Sequence, residues 1–113
     1  MQRLFVYTMS FERELKQQPN AEAVQLAVED AILSNPAVGA TIAATGGVRK
    51  FRLPDPKRGK GKRGGLRIIY LDLPAQEVTY LIAMFDKNTT ENLTEEDKSA
   101  IRNLVAFLKG GLR

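Results

Sequence analysis

The sequence predicts an α+β domain in which two N-terminal helices and a C-terminal helix pack on a small, mainly antiparallel sheet of four strands. Three observations predict this class. A strand-like segment opens the chain, two segments with helical periodicity follow it, and three strand-like segments with short connections precede a last helical segment. Helices separated from a run of antiparallel strands are typical of α+β folds. The 113 residues suffice for one core, so residues 1–113 are predicted to form a single domain.

The first third of the chain is predicted to contain one strand and two helices. Residues 4–8, Leu-Phe-Val-Tyr-Thr, are rich in β-forming side chains. Ser10 offers a hydroxyl N-cap for a short helix, which Pro19 and Asn20 end. Asn20 also caps a longer helix, and Pro36 closes it because the residue before a proline avoids the helical region. The apolar residues that recur at helical spacing in this second helix are Val24, Val28, Ala31 and Ile32.

The next strand is expected to have one cationic face. A Thr-Gly-Gly turn at residues 45–47 leads into residues 48–53, whose side chains alternate between the two faces of a strand. The residues of one face are Val48, Lys50 and Arg52, and those of the other are Phe51 and Leu53. This alternation predicts that two cations project from the same side of the sheet.

Two further strands and a helix complete the prediction. Residues 66–73 and 78–85 are apolar on both faces, as in central strands, and residues 74–77 form a hairpin connection between them. Residues 94–97, Thr-Glu-Glu-Asp, are typical of a helix start with a capping box. The helix that follows ends at residues 110–111, and its apolar stripe is Ile101, Leu104, Val105 and Leu108.

Positive charge is concentrated in one segment of the chain. Between residues 49 and 67, nine Lys or Arg residues accompany a single acid, Asp55, for a net charge of +8, whereas the whole chain carries +4. Such a concentration is the footprint expected for a phosphate backbone. The centre of the segment, residues 54–65, contains four Gly and two Pro, which predicts a long loop of the kind that is usually functional. The alternative is a surface loop without a ligand.

The residue types that are absent exclude several chemistries. The chain has no cysteine and no histidine, so disulfides, thiolate zinc sites, His acid–base pairs and Ser-His nucleophiles are excluded. No metal or cofactor site is expected, and the acids Glu91, Glu95, Glu96 and Asp97 are interpreted as helix-start residues. The first eight residues have no apolar signal region, and the apolar runs are short. We therefore expect a cytoplasmic protein with no membrane partner.

Cations that are distant in sequence can share one face of the predicted sheet, because adjacent strands lie about 4.8 Å apart. We predict one concave surface with the basic loop as its movable rim, lined by Lys50, Arg52, Arg67 and Lys87. The Lys87-Asn88 pair remains open between a simple loop and a site. Tyr70 and Tyr80 lie in apolar strands and are expected to be core or rim residues with hydrogen-bonded hydroxyls.

Four short pieces of the chain occur in the order found in one known family. They are Thr-Gly-Gly-Val-Arg-Lys-Phe-Arg at residues 45–52, Gly-Lys-Gly-Lys-Arg-Gly-Gly-Leu-Arg-Ile-Ile-Tyr at 59–70, Lys-Asn at 87–88 and Leu-Thr-Glu-Glu at 93–96. In these pieces the chain resembles the RelE/HigB toxins of bacterial type II toxin–antitoxin modules. The resemblance implies a RelE-like fold and an endoribonuclease that enters the ribosomal A site, cuts mRNA there and inhibits translation. It also implies a cognate antitoxin, expected to be a helix-turn-helix protein.

The resemblance also implies roles for the cations, since similar toxins use Lys, Arg and sometimes Tyr in place of a His pair. Attack of the 2′-hydroxyl on the adjacent phosphate needs a base, an acid and cations for the developing charge. Lys50 would be the base, because neighbouring arginines disfavour its charged form, and Arg52 and Arg67 would clamp the phosphate. No metal ion is required. The residues expected to contact RNA are Arg49, Lys57, Arg58, Lys60, Lys62, Arg63, Phe85 and Asn88.

The end of the fourth strand departs from the family pattern. Similar toxins often carry Tyr-x-Lys-Asn-Glu there, whereas residues 85–89 of this chain are Phe-Asp-Lys-Asn-Thr. Phe85 can stack on a base but cannot exchange a proton, so Lys87 would have to replace the phenol. The alternative hypothesis is a non-catalytic RNA- or ribosome-binding module, or an attenuated toxin remnant, in which the same cations supply affinity without cleavage.

Overall fold

Five strands and three helices are found in the computed structural model, which describes residues 3–53, 65–86 and 93–110. In chain order they are β1 (Leu4–Tyr7), α1 (Met9–Lys16), α2 (Ala21–Ser34), β2 (Ala40–Thr41), β3 (Arg49–Leu53), β4 (Leu66–Leu73), β5 (Val78–Asp86) and α3 (Glu95–Gly110). A 3-10 turn, Pro74–Gln76, connects β4 to β5 at the predicted hairpin. The predicted α+β class, with two N-terminal helices and a C-terminal helix, is confirmed.

The sheet has five strands in the order β1-β5-β4-β3-β2, one more than the predicted four. β1 pairs in parallel with β5, and the other neighbours are antiparallel. β2 is the additional strand, and its two residues pair with Lys50 and Arg49 of β3. Two residues are too few to form an alternating pattern, so only the pairing reveals the strand. Gly39 precedes β2 where a Cβ would collide with the backbone carbonyl of Lys50.

Helix α1 begins earlier than predicted, because Thr8 and not Ser10 is its N-cap. The Thr8 Oγ1 accepts a hydrogen bond of 3.1 Å from the Phe11 backbone N–H and donates one of 2.6 Å to the Ile82 carbonyl oxygen in β5. The second bond is a tertiary contact, so the local sequence could not choose between the two hydroxyls. Asn20 occupies the N-cap position of α2 as predicted, although its side chain makes no capping hydrogen bond.

Two apolar cores lie on opposite faces of the sheet. The first core packs β3, β4 and β5 against α1 and α2, and its fully buried members are Phe11, Val28, Ile32, Ile68, Tyr70 and Leu81. The second core packs the other face against α3, and its buried members are Ile42, Val48, Ile69, Leu71, Ile82, Ile101 and Val105. Strand β4 contributes to both cores, as its apolar sequence on both faces predicts. The molecule therefore has three layers, with the sheet in the middle.

The turn before β3 is fixed by a buried threonine and two glycines. Thr45 is fully buried, and its hydroxyl donates 2.7 Å to the Ile42 carbonyl and accepts 3.2 Å from the Val48 N–H. Gly46 and Gly47 adopt positive φ angles of 84° and 112°, which glycine adopts without strain. This confirms the predicted Thr-Gly-Gly turn.

The start of α3 is a reciprocal cap, as its sequence predicts. The Asp97 N–H donates 3.0 Å to the Thr94 Oγ1, and the Thr94 N–H donates 3.0 Å to the Asp97 Oδ2. This cap fixes where the helix begins and therefore which of its side chains face the sheet. Within residues 3–53, 65–86 and 93–110, no helix has the length and apolar character needed to cross a membrane.

Candidate nucleic-acid interface

Strands β3 and β4 place three predicted cations on the face of the sheet that α3 covers. Lys50 pairs with Ile69, and Arg52 pairs directly with Arg67. Residues directly opposite in an antiparallel pair project to the same face with Cβ atoms about 5 Å apart. Phe51 packs on the other core, as the predicted alternation requires. The two strands therefore supply a cluster of positive charge without any contribution from loops.

Lys50 and Arg67 open into a pocket of about 210 Å³ between the sheet and α3. Its apolar walls are Ile42, Ile69, Phe85 and Leu93. A third cation, Lys98 of α3, completes the lining. None of the described residues that line the pocket is acidic. A small concave site with three cations and no carboxylate among its described residues is suited to an anionic ligand.

Arg67, which lines this pocket, has a buried hydrogen-bond donor that no described residue satisfies. Its side chain is partly buried, and its Nε is enclosed without a hydrogen-bond partner among the residues that the structure describes. Arg3 has a similarly enclosed Nε, but the Asp72 Oδ1 lies 3.3 Å from it. An enclosed donor without a partner costs about 1–3 kcal/mol, and more when the group is charged.

Arg49 lies apart from the other predicted cations. It pairs with Tyr70, and its Nη1 donates a hydrogen bond of 2.6 Å to the Gly39 carbonyl oxygen. Alternation along β3 directs it to the face of α1 and α2, away from Lys50. Its predicted contact with RNA therefore does not run through the pocket. The remaining predicted site residues lie outside the described part of the chain: Lys57, Arg58, Lys60, Lys62, Arg63, Lys87 and Asn88.

The sequence did contain a signal for Lys98, which was not among the predicted site residues. The apolar stripe of α3 contains Ile101 and Val105, and one helical turn before Ile101 the same face reaches Lys98. A cation in an inward-facing position of an amphipathic helix indicates that a charge is directed towards the core or towards a ligand. The helix geometry was predictable, but the position of this face over Lys50 and Arg67 was not.

The two tyrosines of the central strands do not line the cationic pocket. Tyr70 is fully buried, and its hydroxyl donates 2.7 Å to the Pro36 carbonyl oxygen. Burial raises the pKa of Tyr70, which keeps the phenol protonated. Tyr80 is partly buried against the second core. The structural role predicted for Tyr70, a core residue with a hydrogen-bonded hydroxyl, is confirmed.

Phe85 lies where the cationic pocket meets a second, more apolar groove. The groove has a volume of about 440 Å³ and runs between α1 and α3, and both Phe85 and Leu93 line it as well as the pocket. The Phe85 side chain therefore borders both the cationic pocket and the apolar groove. In the described ranges, no three acidic side chains come together as metal ligands would.

The backbone arrangement is similar to solved structures of an E. coli toxin.

 The free-state structure of a double arginine-to-alanine mutant of the E. coli toxin RelE matches 80% of this chain and 90% of its own, with a TM-score of 0.58 and 15% identity. The isolated E. coli RelE toxin matches 90% of this chain and 98% of its own, with a TM-score of 0.54 and 16% identity. The chain has a RelE-like fold. No protein-family model matches the sequence.

The RelE-like fold is also found in a structure that contains a partner. The intact E. coli RelBE toxin–antitoxin complex matches 73% of this chain and 93% of its own, with a TM-score of 0.53 and 14% identity. At such identities the similarity concerns the path of the backbone and not the site residues. The side chains that could bind a ligand in this RelE-like fold are therefore those of its own pocket.

Proposed function

We propose that the protein is the toxin of a type II toxin–antitoxin module and acts in the cytoplasm as a ribosome-dependent mRNA endonuclease that inhibits translation. The observation that carries the proposal is the convergence of Lys50 and Arg67 beside Phe85 in a pocket without a described carboxylate. The RelE-like fold supports the toxin assignment, and the cations support RNA as the ligand.

The pocket contains groups that suit cleavage of RNA by its own 2′-hydroxyl. In this reaction the 2′-oxygen forms a bond to phosphorus, the bond from phosphorus to the 5′-oxygen breaks, and a cyclic phosphate and a 5′-hydroxyl result. Lys50 would take the proton from the 2′-hydroxyl, and a second group would return a proton to the 5′-oxygen. Arg67, with Arg52 opposite it in the sheet, would stabilise the charge on the phosphoryl oxygens. The chemistry requires no metal ion.

Phe85 is proposed to hold the base next to the scissile phosphate. Its ring borders the cationic pocket, so a base stacked on it would leave the phosphate within reach of Arg67. Base stacking on an aromatic ring contributes about 1–3 kcal/mol per base and is tolerant of sequence. Because the chain has no His pair, the ribosome would have to position the mRNA for efficient cleavage.

A second candidate function is a non-catalytic RNA- or ribosome-binding module. The feature that favours it is the lack of a phenol at the described pocket, because Phe85 cannot exchange a proton and the Tyr70 hydroxyl is bonded to the Pro36 carbonyl. Lys87, the proposed replacement acid, lies outside the described residues. In this module the same cations would bind RNA without cutting it.

The proposed partners are the ribosome, mRNA and a cognate antitoxin of the helix-turn-helix class. The solved E. coli RelBE toxin–antitoxin complex supports an antitoxin partner. The concentration of positive charge in residues 49–67 would attract an acidic segment of such a partner. Co-expression with the neighbouring short gene, followed by purification, would test this. A chain that purifies alone and is harmless when overexpressed would favour the second candidate.

The two candidate functions are separated by adding the purified protein to a translating extract and mapping mRNA 5′ ends. The toxin proposal predicts new 5′ ends at codons in the ribosomal A site, and their loss with Arg67→Ala. Lys16→Ala is the matched control, because it removes the same charge from an exposed position on α1. Binding to ribosomes without new 5′ ends would support the non-catalytic module instead.

A further inference from the structure

Lys98 belongs to a helix that the sheet and the preceding turn hold in place. Ile101 and Val105 form the buried face of α3. Towards its C-terminal end, the Arg102 Nη1 donates 3.0 Å to the Ala44 carbonyl oxygen, and the Lys109 Nζ donates 2.8 Å to the Gly46 carbonyl oxygen. These contacts fix the rotation of the helix. Since side chains three positions apart share a face, Lys98 is directed to the same side as Ile101, over the sheet.

The charges around Lys98 favour an anion more than an internal partner. Its side chain is 30% exposed, and its Nζ lies 3.7 Å from the Glu95 Oε2, but that carboxylate is 89% exposed. An exposed pair three positions apart on a helix contributes only about 0.2–0.5 kcal/mol. Lys50 and Arg67 line the same pocket. Three like charges repel one another there, so a ligand that carries negative charge would relieve the repulsion.

We propose that Lys98 contacts a phosphate of the bound RNA, so that the site is shared between the sheet and α3. The inference rests on the proposed function in taking single-stranded RNA as the ligand. Lys50 and Arg67 come from strands β3 and β4, whereas Lys98 reaches the pocket only when α3 is packed on Ile42 and Val48 of the second core. Docking of α3 and binding of RNA therefore stabilise each other.

The binding test compares Lys98→Ala, Lys98→Arg and Lys16→Ala with the unmodified chain. A short fluorescent single-stranded RNA is titrated at several salt concentrations. Loss of one phosphate contact should reduce the slope of log K against log salt concentration by about 0.7 for a single strand. We expect this loss for Lys98→Ala, recovery with Lys98→Arg, and no change for Lys16→Ala. Equal slopes for Lys98→Ala and Lys16→Ala would overturn the inference.

Thermal unfolding distinguishes an RNA contact from a packing role of Lys98, because the two roles predict different changes in the unfolding temperature of Lys98→Ala. Alanine is a better helix former than lysine, and its introduction removes the repulsion from Lys50 and Arg67. Without ligand and at low salt, Lys98→Ala should therefore unfold at the same temperature as the unmodified chain or at a higher one. A clearly lower unfolding temperature, with the RNA affinity reduced in proportion, would assign Lys98 to the packing of α3 and overturn the inference.

Cleavage in the translating extract separates this inference from the proposed function. If the unmodified chain binds RNA through Lys98 but produces no new mRNA 5′ ends, the nuclease proposal fails and the phosphate contact stands. If the chain cuts mRNA and Lys98→Ala cuts equally well with an unchanged salt slope, the phosphate contact fails and the nuclease proposal stands. If Lys98→Ala weakens only the complex with the antitoxin, the anion is a carboxylate of that partner and the RNA contact is overturned.

Discussion

Arg67 and Lys50 lie on strands of the sheet, whereas the cations of residues 57–63 are known only from a Gly-rich sequence. Arg67 lies on β4 between two cores, and Lys50 lies on β3 beside it. Side chains on strands can be held to the tolerance that transition-state contacts demand. The cations of residues 57–63 lie outside the described residues, and their assignment to binding rests on the Gly-rich sequence alone.

This difference predicts two kinds of variant. Arg67→Ala or Lys50→Ala should retain ribosome binding but lose roughly 10²-fold or more in single-turnover cleavage, because each removes a group that acts in the transition state. Lys60→Ala and Lys62→Ala should weaken binding modestly, reduce its salt dependence and leave the cleavage step nearly intact. Single-turnover rates at saturating ribosomes measure the first effect. Loop variants that lose chemistry while Lys50→Ala and Arg67→Ala cut normally would contradict the assignment.

Tyr70 gives a prediction about stability at the residue scale. Tyr70→Phe should lower the free energy of unfolding by about 1–2 kcal/mol, because it leaves the Pro36 carbonyl oxygen without its donor. Urea denaturation measures the change. Tyr80→Phe is the control, because none of the hydrogen bonds found among the described residues uses its hydroxyl, and we expect a change within about 0.5 kcal/mol.

The pH dependence of the Tyr70→Phe effect has a definite sign. Burial raises the pKa of Tyr70 in the folded chain, whereas the unfolded chain has the ordinary value of about 10. The contribution of Tyr70 to the free energy of unfolding is therefore fully present below pH about 10. It declines as the pH rises further, because the Tyr70 phenol then loses its proton in the unfolded chain and keeps it in the folded chain. Tyr70→Phe should show a smaller decline over the same range. An equal decline in both proteins would exclude Tyr70 as its source.

At the scale of elements, the turn before β3 and helix α3 depend on each other. The turn presents the Ala44 and Gly46 carbonyl oxygens to two side chains of α3, and Gly46 packs directly beneath the helix. The helix in turn covers Val48 and Ile69, which form the floor of the second core. A substitution in the turn should therefore weaken the docking of α3 and alter the cationic pocket that the helix completes.

Gly46→Ala tests this coupling. Its φ of 84° penalises any residue with a Cβ, and the added Cβ would lie 3.0 Å from the Val105 Cγ1. We expect the free energy of unfolding to fall by about 1–2 kcal/mol from the left-handed backbone alone. Gly110→Ala is the matched control, because a Cβ at Gly110 meets no atom within 4 Å. Equal unfolding temperatures for the two variants would show that the turn does not hold the helix.

At the scale of the whole molecule, charge is distributed unevenly along a chain whose net charge is +4. Residues 49–67 carry +8 while the rest of the chain carries −4. Such an asymmetry orients a protein towards a polyanion before any short-range contact forms. Of the four cations of this segment that the structure describes, Lys50 and Arg67 are the ones that line the pocket.

The proposed nuclease should work without a divalent ion at its own site. Cleavage on intact ribosomes should be unchanged when a chelator removes free metal ions down to the level that the ribosome itself requires, because cations of the protein supply the charge stabilisation. Sedimentation of the ribosomes in the same samples is the control. Loss of cleavage with intact ribosomes, and its recovery on addition of Mg²⁺ or Mn²⁺, would require a different mechanism.

Much of the fold could be predicted from local patterns. The cationic face of β3 follows from strict alternation, β4 is apolar on both faces because it lies between two cores, and the cap of α3 follows from Thr94 and Asp97. Two details needed the tertiary structure. Thr8 was chosen over Ser10 as a cap by its bond to the Ile82 carbonyl, and β2 exists only as a partner of β3.

The sequence by itself determined the fold class, the concentration of positive charge and the residue types available for chemistry, because composition and periodicity are properties of the chain that packing does not change. Only the tertiary structure decided which cations line the same pocket. Arg49 and Lys50 are adjacent in sequence but lie on opposite faces of the sheet, whereas Lys98 joins Lys50 and Arg67 from a distant helix. The physical reason is that this meeting depends on strand register and on the rotation of α3, and both are set by long-range packing.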